Sequence, residues 1–182
     1  MNSPTIWTIG HSNHELAHFL AMLTQSAITA VADVRRFPGS RRQTHFGREN
    51  LEQALSAAGI AYRHFPELGG RRTARAPDSP NTAWRVESFN AYADHMLTDE
   101  FRQGLADLEQ LATTQPTATM CAEATPWRCH RRLISDALVA KNWTVLDIYS
   151  PGRVKEHRLT EFARIQNGQV IYPGLYKSDA PG

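Results

Sequence analysis

An α/β fold follows from three features of the 182-residue sequence. Short apolar or β-branched runs alternate with amphipathic helical segments, several of the runs show no polar alternation, and the connections are rich in glycine, proline and arginine. Strands without polar alternation suit a largely parallel sheet covered on both faces, and strand alternating with helix is the signature of βαβ units. The expectation is one domain, residues 1–182, with a mostly parallel five-stranded sheet, helices on both faces and a C-terminal hairpin. With 41% apolar and 21% charged residues the chain is long enough for one substantial core and too short for two.

Thr5-Ile-Trp-Thr-Ile9 reads as the first strand, ended by Gly10, and Ser12-x-x-Glu15 reads as a capping box ahead of a helix carrying Leu16, Phe19, Leu20 and Leu23. The turn Gly10-His11-Ser12-Asn13 then falls at the carboxyl end of a strand, where open sheets bind ligands and a helix N-terminus holds an anion. His11 is the best-placed histidine, either as a base or as a donor to a turn carbonyl. Ala30 to Val34 forms the second strand and leads through Asp33-Val-Arg35 into Arg36-Phe-Pro-Gly-Ser40-Arg41-Arg42. That loop combines a Pro-Gly turn, a serine and arginines suited to clamp phosphate or carboxylate, while Asp33 serves as an acid or base or holds Arg35.

A helix from about Arg48 carries Leu51, Ala54, Leu55 and Ala58 and ends before Gly59. Ile60 to Phe65 is the third strand, followed by Pro66-Glu-Leu-Gly69-Gly70-Arg71-Arg72. Residues 73–84 have no apolar period and read as a lid or a disordered segment, the lid being preferred because Arg71, Arg72, Arg75 and Trp84 could fold over an anion. Ser88 opens a helix with Phe89, Tyr92, Met96 and Leu97, and Thr98 opens another with Phe101, Leu105, Leu108 and Leu111.

The fourth strand, Thr117 to Ala122, runs into Cys121-Ala-Glu123-Ala-Thr125-Pro126-Trp-Arg128-Cys129-His130-Arg131-Arg132. Thr125 as N-cap and Pro126 at the first helical position put Cys129 in or near the first turn of a helix. Free backbone N–H groups, the helix dipole, Arg128, His130 and Arg131 then favour its thiolate. Glu123, two residues beyond Cys121 on the same strand face, completes a convergence of two thiols, a carboxylate and an imidazole. Plain packing stays open for both cysteines, since Cys129, Leu133 and Ala137 follow i, i+4 spacing and free cysteine is commonly buried. A metal site from Cys121, Cys129, His130 and Glu123 or His11 is a further alternative, although no Cys-x-x-Cys or His-x-x-x-His occurs. Thr144 to Tyr149 is the fifth strand, stopped by Pro151-Gly152. Glu156 to Phe162 reads as a short helix, and residues 163–173 as a hairpin turning at Asn167-Gly168 that extends the sheet edge or covers the site.

The net charge of +2 conceals an asymmetry. Between Arg35 and Arg75 nine arginines face three glutamates, a local +6, and arginine outnumbers lysine 17 to 3 over the chain. The planar fork of arginine suits an anionic ligand, and a solvated basic face is the alternative. No basic n-region or long apolar run opens the chain, and two cysteines make no disulfide framework. These features lead to the expectation of a cytoplasmic protein without a membrane partner.

Gly10-His11-Ser12 after a strand, Asp33-Val34-Arg35-x-x-Pro38-x-Ser40, Leu68-Gly69-Gly70, and Cys121-x-Glu123 followed by Cys129-His130-Arg131 together resemble the motif set of the family catalogued as domain of unknown function 488. The resemblance runs from about Thr5 to Tyr149. It implies a Rossmann-like three-layer α/β sandwich with no settled activity, whose paired cysteines suggest an enzyme. Because four of these stretches end predicted strands, they are expected to meet on one rim. The leading functional expectation is a hydrolase or transferase with Cys129 as nucleophile or redox thiol, His11 or His130 as base, and Glu123 orienting the base or acting as acid. Cys121 is the second thiol of that site. Gly10, Ser12, Asn13, Arg35, Ser40, Arg41, Gly69, Gly70, Arg71, Arg128 and Arg131 are the expected ligands of a phosphate-bearing substrate, a nucleotide or nucleic acid. The alternative is a non-catalytic nucleic-acid binding or repair-associated module in which Trp84, Phe37 or Tyr62 stack on bases. The cofactor stays open, and a hydrolase or transferase is more natural than a dehydrogenase because Gly-x-Gly-x-x-Gly is absent after the first strand.

Overall fold

The computed structural model describes residues 2–174. Its central sheet contains β1 (Thr5–Gly10), β2 (Ala30–Asp33), β3 (Ala61–His64), β4 (Thr117–Cys121), β5 (Thr144–Ser150) and β6 (Arg153–Glu156) in the order β3-β2-β4-β1-β5-β6. The first five strands pair in parallel and β6 pairs antiparallel with β5. Helices α1 (Leu16–Gln25) and α2 (Arg48–Ala57) pack on one face through Phe19, Met22, Leu23, Leu51 and Leu55 against Ile9, Val31 and Met120. On the other face α3 (Glu87–His95), α4 (Asp99–Thr114) and α5 (Arg131–Ala140) pack Tyr92, Phe101, Leu108, Leu133 and Leu138 against Ile6, Ala32 and Val145. This is the expected Rossmann-like α/β sandwich, with six strands in place of five. Its order matches neither of the two common doubly wound arrangements, because β4 is inserted between β2 and β1.

The burial of each strand follows its place. β2 and β4 are buried along their whole length, whereas the edge strands β3 and β6 alternate or lie open. The sixth strand escapes a reading of the sequence because Arg153-Val-Lys-Glu156 holds a single apolar residue, as suits a short charged edge. Pro151-Gly152 is a reversal into this strand, with Gly152 at φ 75°, and the short helix expected over Glu156 to Phe162 is absent. The hairpin is present as β7 (Arg164–Gln166) and β8 (Gln169–Ile171), turning at Asn167-Gly168 with both residues at positive φ. It forms its own small sheet and buries Val170 in the cluster that holds Leu133 and Ala137, so it does not lengthen the main sheet.

Residues 73–84 have no regular structure but are tied down at two points. Arg75, Ala76, Ser79 and Asn81 all donate to the Asp94 carboxylate. The backbone N–H groups of Thr82 and Ala83 donate to the Tyr172 carbonyl, while Tyr172 N–H donates to Asn81 Oδ1. Trp84 is buried against Phe89, Phe162 and Tyr172.

Two helix starts differ from expectation. Ser12 does not cap α1: its backbone N–H and that of His11 donate to the Ala122 and Cys121 carbonyls, prolonging the β1–β4 ladder, and Ser12 turns the chain at φ 45°. Thr125 makes no side-chain cap either, and Pro126–Arg128 is a separate 3-10 turn. Thr98 does cap α4, accepting from Phe101 N–H.

Gly10 is opposite Cys121 in the ladder and passes under the loop that follows β4. A Cβ there would stand 1.6 Å from the Glu123 carbonyl oxygen, a backbone atom that cannot rotate away. Gly10→Ala is therefore expected to lower the unfolding free energy by about 3 kcal/mol or more, measured by urea denaturation. Gly39→Ala, whose Cβ meets nothing within 4 Å, should change it by about 0.5 kcal/mol or less.

Candidate functional site

The site begins where β4 ends. Cys121 is buried on the face that carries α5, and its thiol is 3.6 Å from the Glu123 carbonyl. After the 3-10 turn the chain is extended at Cys129, φ −135° and ψ 148°, and α5 starts at Arg131 with His130 before it. Cys129 thus precedes the helix instead of lying in its first turn. Its sulfur nevertheless receives a free N-terminal donor, the Arg131 backbone N–H at 3.4 Å.

Arg131 is completely buried. Its Nε donates to Cys121 Sγ at 3.2 Å, Nη1 to Thr8 Oγ1 at 2.7 Å and Nη2 to the Glu123 carbonyl at 3.0 Å. The Thr8 hydroxyl in turn donates to Asp147 Oδ1 at 2.5 Å, so the nearest compensating carboxylate acts through one hydroxyl. Burial pushes the Cys129 thiol up, but the Cys121 thiol beside it, the Arg131 charge and the Arg131 backbone N–H outweigh burial and hold it below the ordinary cysteine value. Burial and hydrogen bonding to Cys129 push Cys121 far up, so the pair divides into one acidic thiol and one that keeps its proton.

His130 Nε2 is 2.8 Å from the Val34 carbonyl, which requires Nε2 to carry hydrogen. Nδ1 then faces Cys129 Sγ at 3.4 Å with its lone pair available. Burial lowers the basicity of His130. Tyr92 packs on that ring at 5.1 Å and donates to the Leu68 carbonyl. Gly70 lies on the Nδ1 side, where a Cβ would come within 2.5 Å of that atom.

His11 has a different environment. Its Nδ1 is 2.8 Å from the Ser12 carbonyl and its Nε2 is 3.3 Å from Arg35 Nη1, so both nitrogens are engaged, and the ring stacks on Phe46. Arg35 is held by both Asp33 oxygens at 2.9 and 2.8 Å and donates to the Phe46 carbonyl. Tyr62 donates its hydroxyl to the same carboxylate at 2.6 Å. Arg35 is therefore neutralised within the protein.

A cavity of about 640 Å³ opens over these groups at the carboxyl ends of β1, β2 and β4. Its lining includes Cys121, Cys129, His130, His11, Glu123, Ser40, Gly70 and seven arginines: 35, 36, 41, 42, 71, 72 and 128. Among the described residues, Arg36, Arg41, Arg42, Arg71, Arg72 and Arg128 form no ion pair with a carboxylate. Gly10, Ser12, Asn13 and Gly69 are not in the lining, and Arg131 lies beneath it. Of the expected stacking residues, Phe37 lines the cavity at 63% exposure, whereas Trp84 is buried and Tyr62 is engaged with Asp33. Thr8, Asp147 and Tyr92 are members that the sequence reading missed; their only signals are a lone hydroxyl or carboxylate within apolar strands and an aromatic on a helical stripe. Among the described residues no group of three or more His, Cys, Asp and Glu side chains is arranged to hold a metal ion, so the metal alternative has no cage here. No helix among them is long and apolar enough to cross a membrane.

Burial holds His11 down at about 4, with the Ser12 bond partly opposing and the Arg35 charge adding to the effect. In the unfolded chain this histidine has its ordinary value of 6.5, so stability from this group is present above that pH and lost as the pH falls toward 4. Wild type is expected to lose roughly 3 kcal/mol more than His11→Gln between neutral pH and pH 4, by denaturant unfolding at each pH.

No curated protein and no solved structure matches this chain. A family match does exist, over residues 15–138, which runs from the start of α1 into α5 and includes both cysteines, His130, Arg131 and Gly70. The chain belongs to the family described as Domain of unknown function DUF488.

Proposed function

We propose that the protein is a cysteine-dependent hydrolase or transferase acting on a phosphate-bearing anionic substrate, a nucleotide or nucleic acid. The observation that carries this reading is the pairing of Cys129 Sγ with both the Arg131 N–H and His130 Nδ1, in the wall of a cavity lined by six arginines free of carboxylates. His130 rather than His11 is the base, since the Nε2 lone pair of His11 is used by Arg35. Cys129 gives its proton to Nδ1, and the thiolate attacks phosphorus; the S–P bond forms as the bond to the leaving oxygen breaks. Glu123, which lines the cavity, enters the cycle as the carboxylic acid, gives its proton to the departing oxygen and is left as the carboxylate. An acceptor hydroxyl, of water or a second substrate, gives its proton to Glu123 and releases the phosphoryl group, after which Cys129 regains its proton from His130. Cys121 stays protonated and stabilises the neighbouring thiolate, while Ser40, Arg41, Arg71 and Arg128 hold the non-bridging oxygens.

The second reading, a nucleic-acid binding module with inert cysteines, is favoured by the exposed Phe37 among the lining arginines. Affinity that survives in Cys129→Ser, with no turnover in wild type, would favour it.

Alkylation followed residue by residue with mass spectrometry should give Cys129 a midpoint below the unperturbed value of about 8.5, and inorganic pyrophosphate should slow that alkylation. A midpoint at or above that value would remove the basis for the reading. On an activated phosphoester such as 4-nitrophenyl phosphate, Cys129→Ser should abolish turnover, and His130→Gln should reduce it by about 10²-fold or more. Pyrophosphate binding should persist in both variants.

A further inference from the structure

Trp127 takes no part in the chemistry above. It is the middle residue of the 3-10 turn between the two cysteines, and 53% of it is exposed. The large exposed hydrophobic residues among the described ones are Phe37, Val86, Trp127 and Ile165. Both aromatic members have an arginine as chain neighbour, Arg36 before Phe37 and Arg128 after Trp127, and both of those arginines line the cavity. The Arg36 guanidinium stands 5.4 Å from the Phe37 ring centre.

Beyond Trp127 the pattern continues. Its ring is 6.4 Å from that of Tyr149, inclined at 36°, and the Lys155 ammonium is 5.8 Å from the Tyr149 ring centre. In the β5–β6 pairing Lys155 is opposite Asp147 and Arg153 opposite Ser150, whereas Val154 faces the α1–α2 core and Glu156 pairs with Leu146. Asp147 is buried and committed to Thr8, so the exposed charges on this face of β6 are those of Arg153 and Lys155.

Flat rings interleaved with cations suit bases stacked between phosphates. We infer that a single-stranded nucleic acid binds along this strip, with bases on Trp127 and Phe37 and phosphates on Lys155, Arg153, Arg128 and Arg36, so that one phosphate enters the cavity beside Cys129. The inference rests on the proposed reading of the cavity as a phosphate site and adds the substrate class. A duplex keeps its base faces inside its own stack and cannot use the rings. A mononucleotide cannot use rings both within and outside the cavity lining.

The test uses the full chain and a fluorescent oligothymidylate of about eight nucleotides, with anisotropy measured at several salt concentrations. Trp127→Ala is expected to weaken binding roughly 5- to 100-fold with an unchanged salt slope. Trp127→Phe should recover most of the loss, and a duplex of equal length should bind more weakly than the single strand. Pyrophosphate protection of Cys129 against alkylation should be the same in wild type and Trp127→Ala. Equal affinity of Trp127→Ala and wild type for the oligonucleotide, or a duplex bound as tightly as the strand, overturns the inference. If pyrophosphate protection is intact in that event, the phosphate reading of the cavity stands without it. Absence of both oligonucleotide binding and pyrophosphate protection in wild type overturns the two together.

Discussion

A guanidinium taken completely out of water must place its donors on acceptors within the protein, and Arg131 places them on a sulfur, a hydroxyl and a backbone carbonyl. Those acceptors belong to β4, to β1 and to the loop after β4, while the residue itself starts α5. One side chain thus joins the two central strands to the helix that follows the site. Because no carboxylate touches it directly, its field acts to lower both nearby sulfurs, while burial and the hydrogen bond between the two thiols divide them into one raised and one lowered. The same charge is balanced at one remove through Thr8 and Asp147. Fold and chemistry share this interaction: β1 and β4 must be neighbours for Arg131 to be satisfied, and Arg131 joins Cys121 in holding the Cys129 thiol down.

Around that centre the site separates structural from available groups. Asp33 consumes the charge of Arg35, and Arg35 occupies the lone pair of His11; this trio, with Tyr62 and Phe46, braces the ends of β2 and β3. His130 has one nitrogen fixed by Val34 and the other directed at sulfur. The difference between the two histidines comes from their partners, not from exposure, since both are largely removed from solvent. Likewise Arg36, Arg41, Arg42, Arg71, Arg72 and Arg128 in the cavity wall pair with no carboxylate among the described residues, whereas Arg35 is held by Asp33 and Arg131 is buried.

Much of this was legible in the sequence. The absence of polar alternation in Thr117 to Cys121 gave a buried strand, the Pro-Gly and Gly-Gly loops fell at strand ends as expected, and the convergence of Cys129, His130, Gly70 and the loop arginines follows from that placement. Cys129 meets a helix N-terminus as anticipated, although by preceding the helix instead of entering it. Other features depend on partners far along the chain. Whether Ser12 caps α1 or prolongs a ladder depends on Ala122, more than a hundred residues away. Whether Arg35 or Trp84 faces a ligand depends on Asp33 geometry and on the packing of Tyr172. Strand order has no local signature, and a four-residue edge strand with one apolar side chain leaves none either.

The segment after α5 closes the molecule in a way that bears on where the chain can be cut. Asp136, wholly buried in α5, accepts from Thr160 N–H and the Tyr172 hydroxyl and lies 2.8 Å from His157 Nε2. All three partners lie beyond residue 138, the end of the family match, and β1, between β4 and β5, precedes its start at residue 15. A fragment trimmed to the matched stretch would therefore lack the middle of its sheet and expose a carboxylate stripped of every donor. The stretch by which the family is recognised leaves out a central strand and all three groups that hold the Asp136 carboxylate.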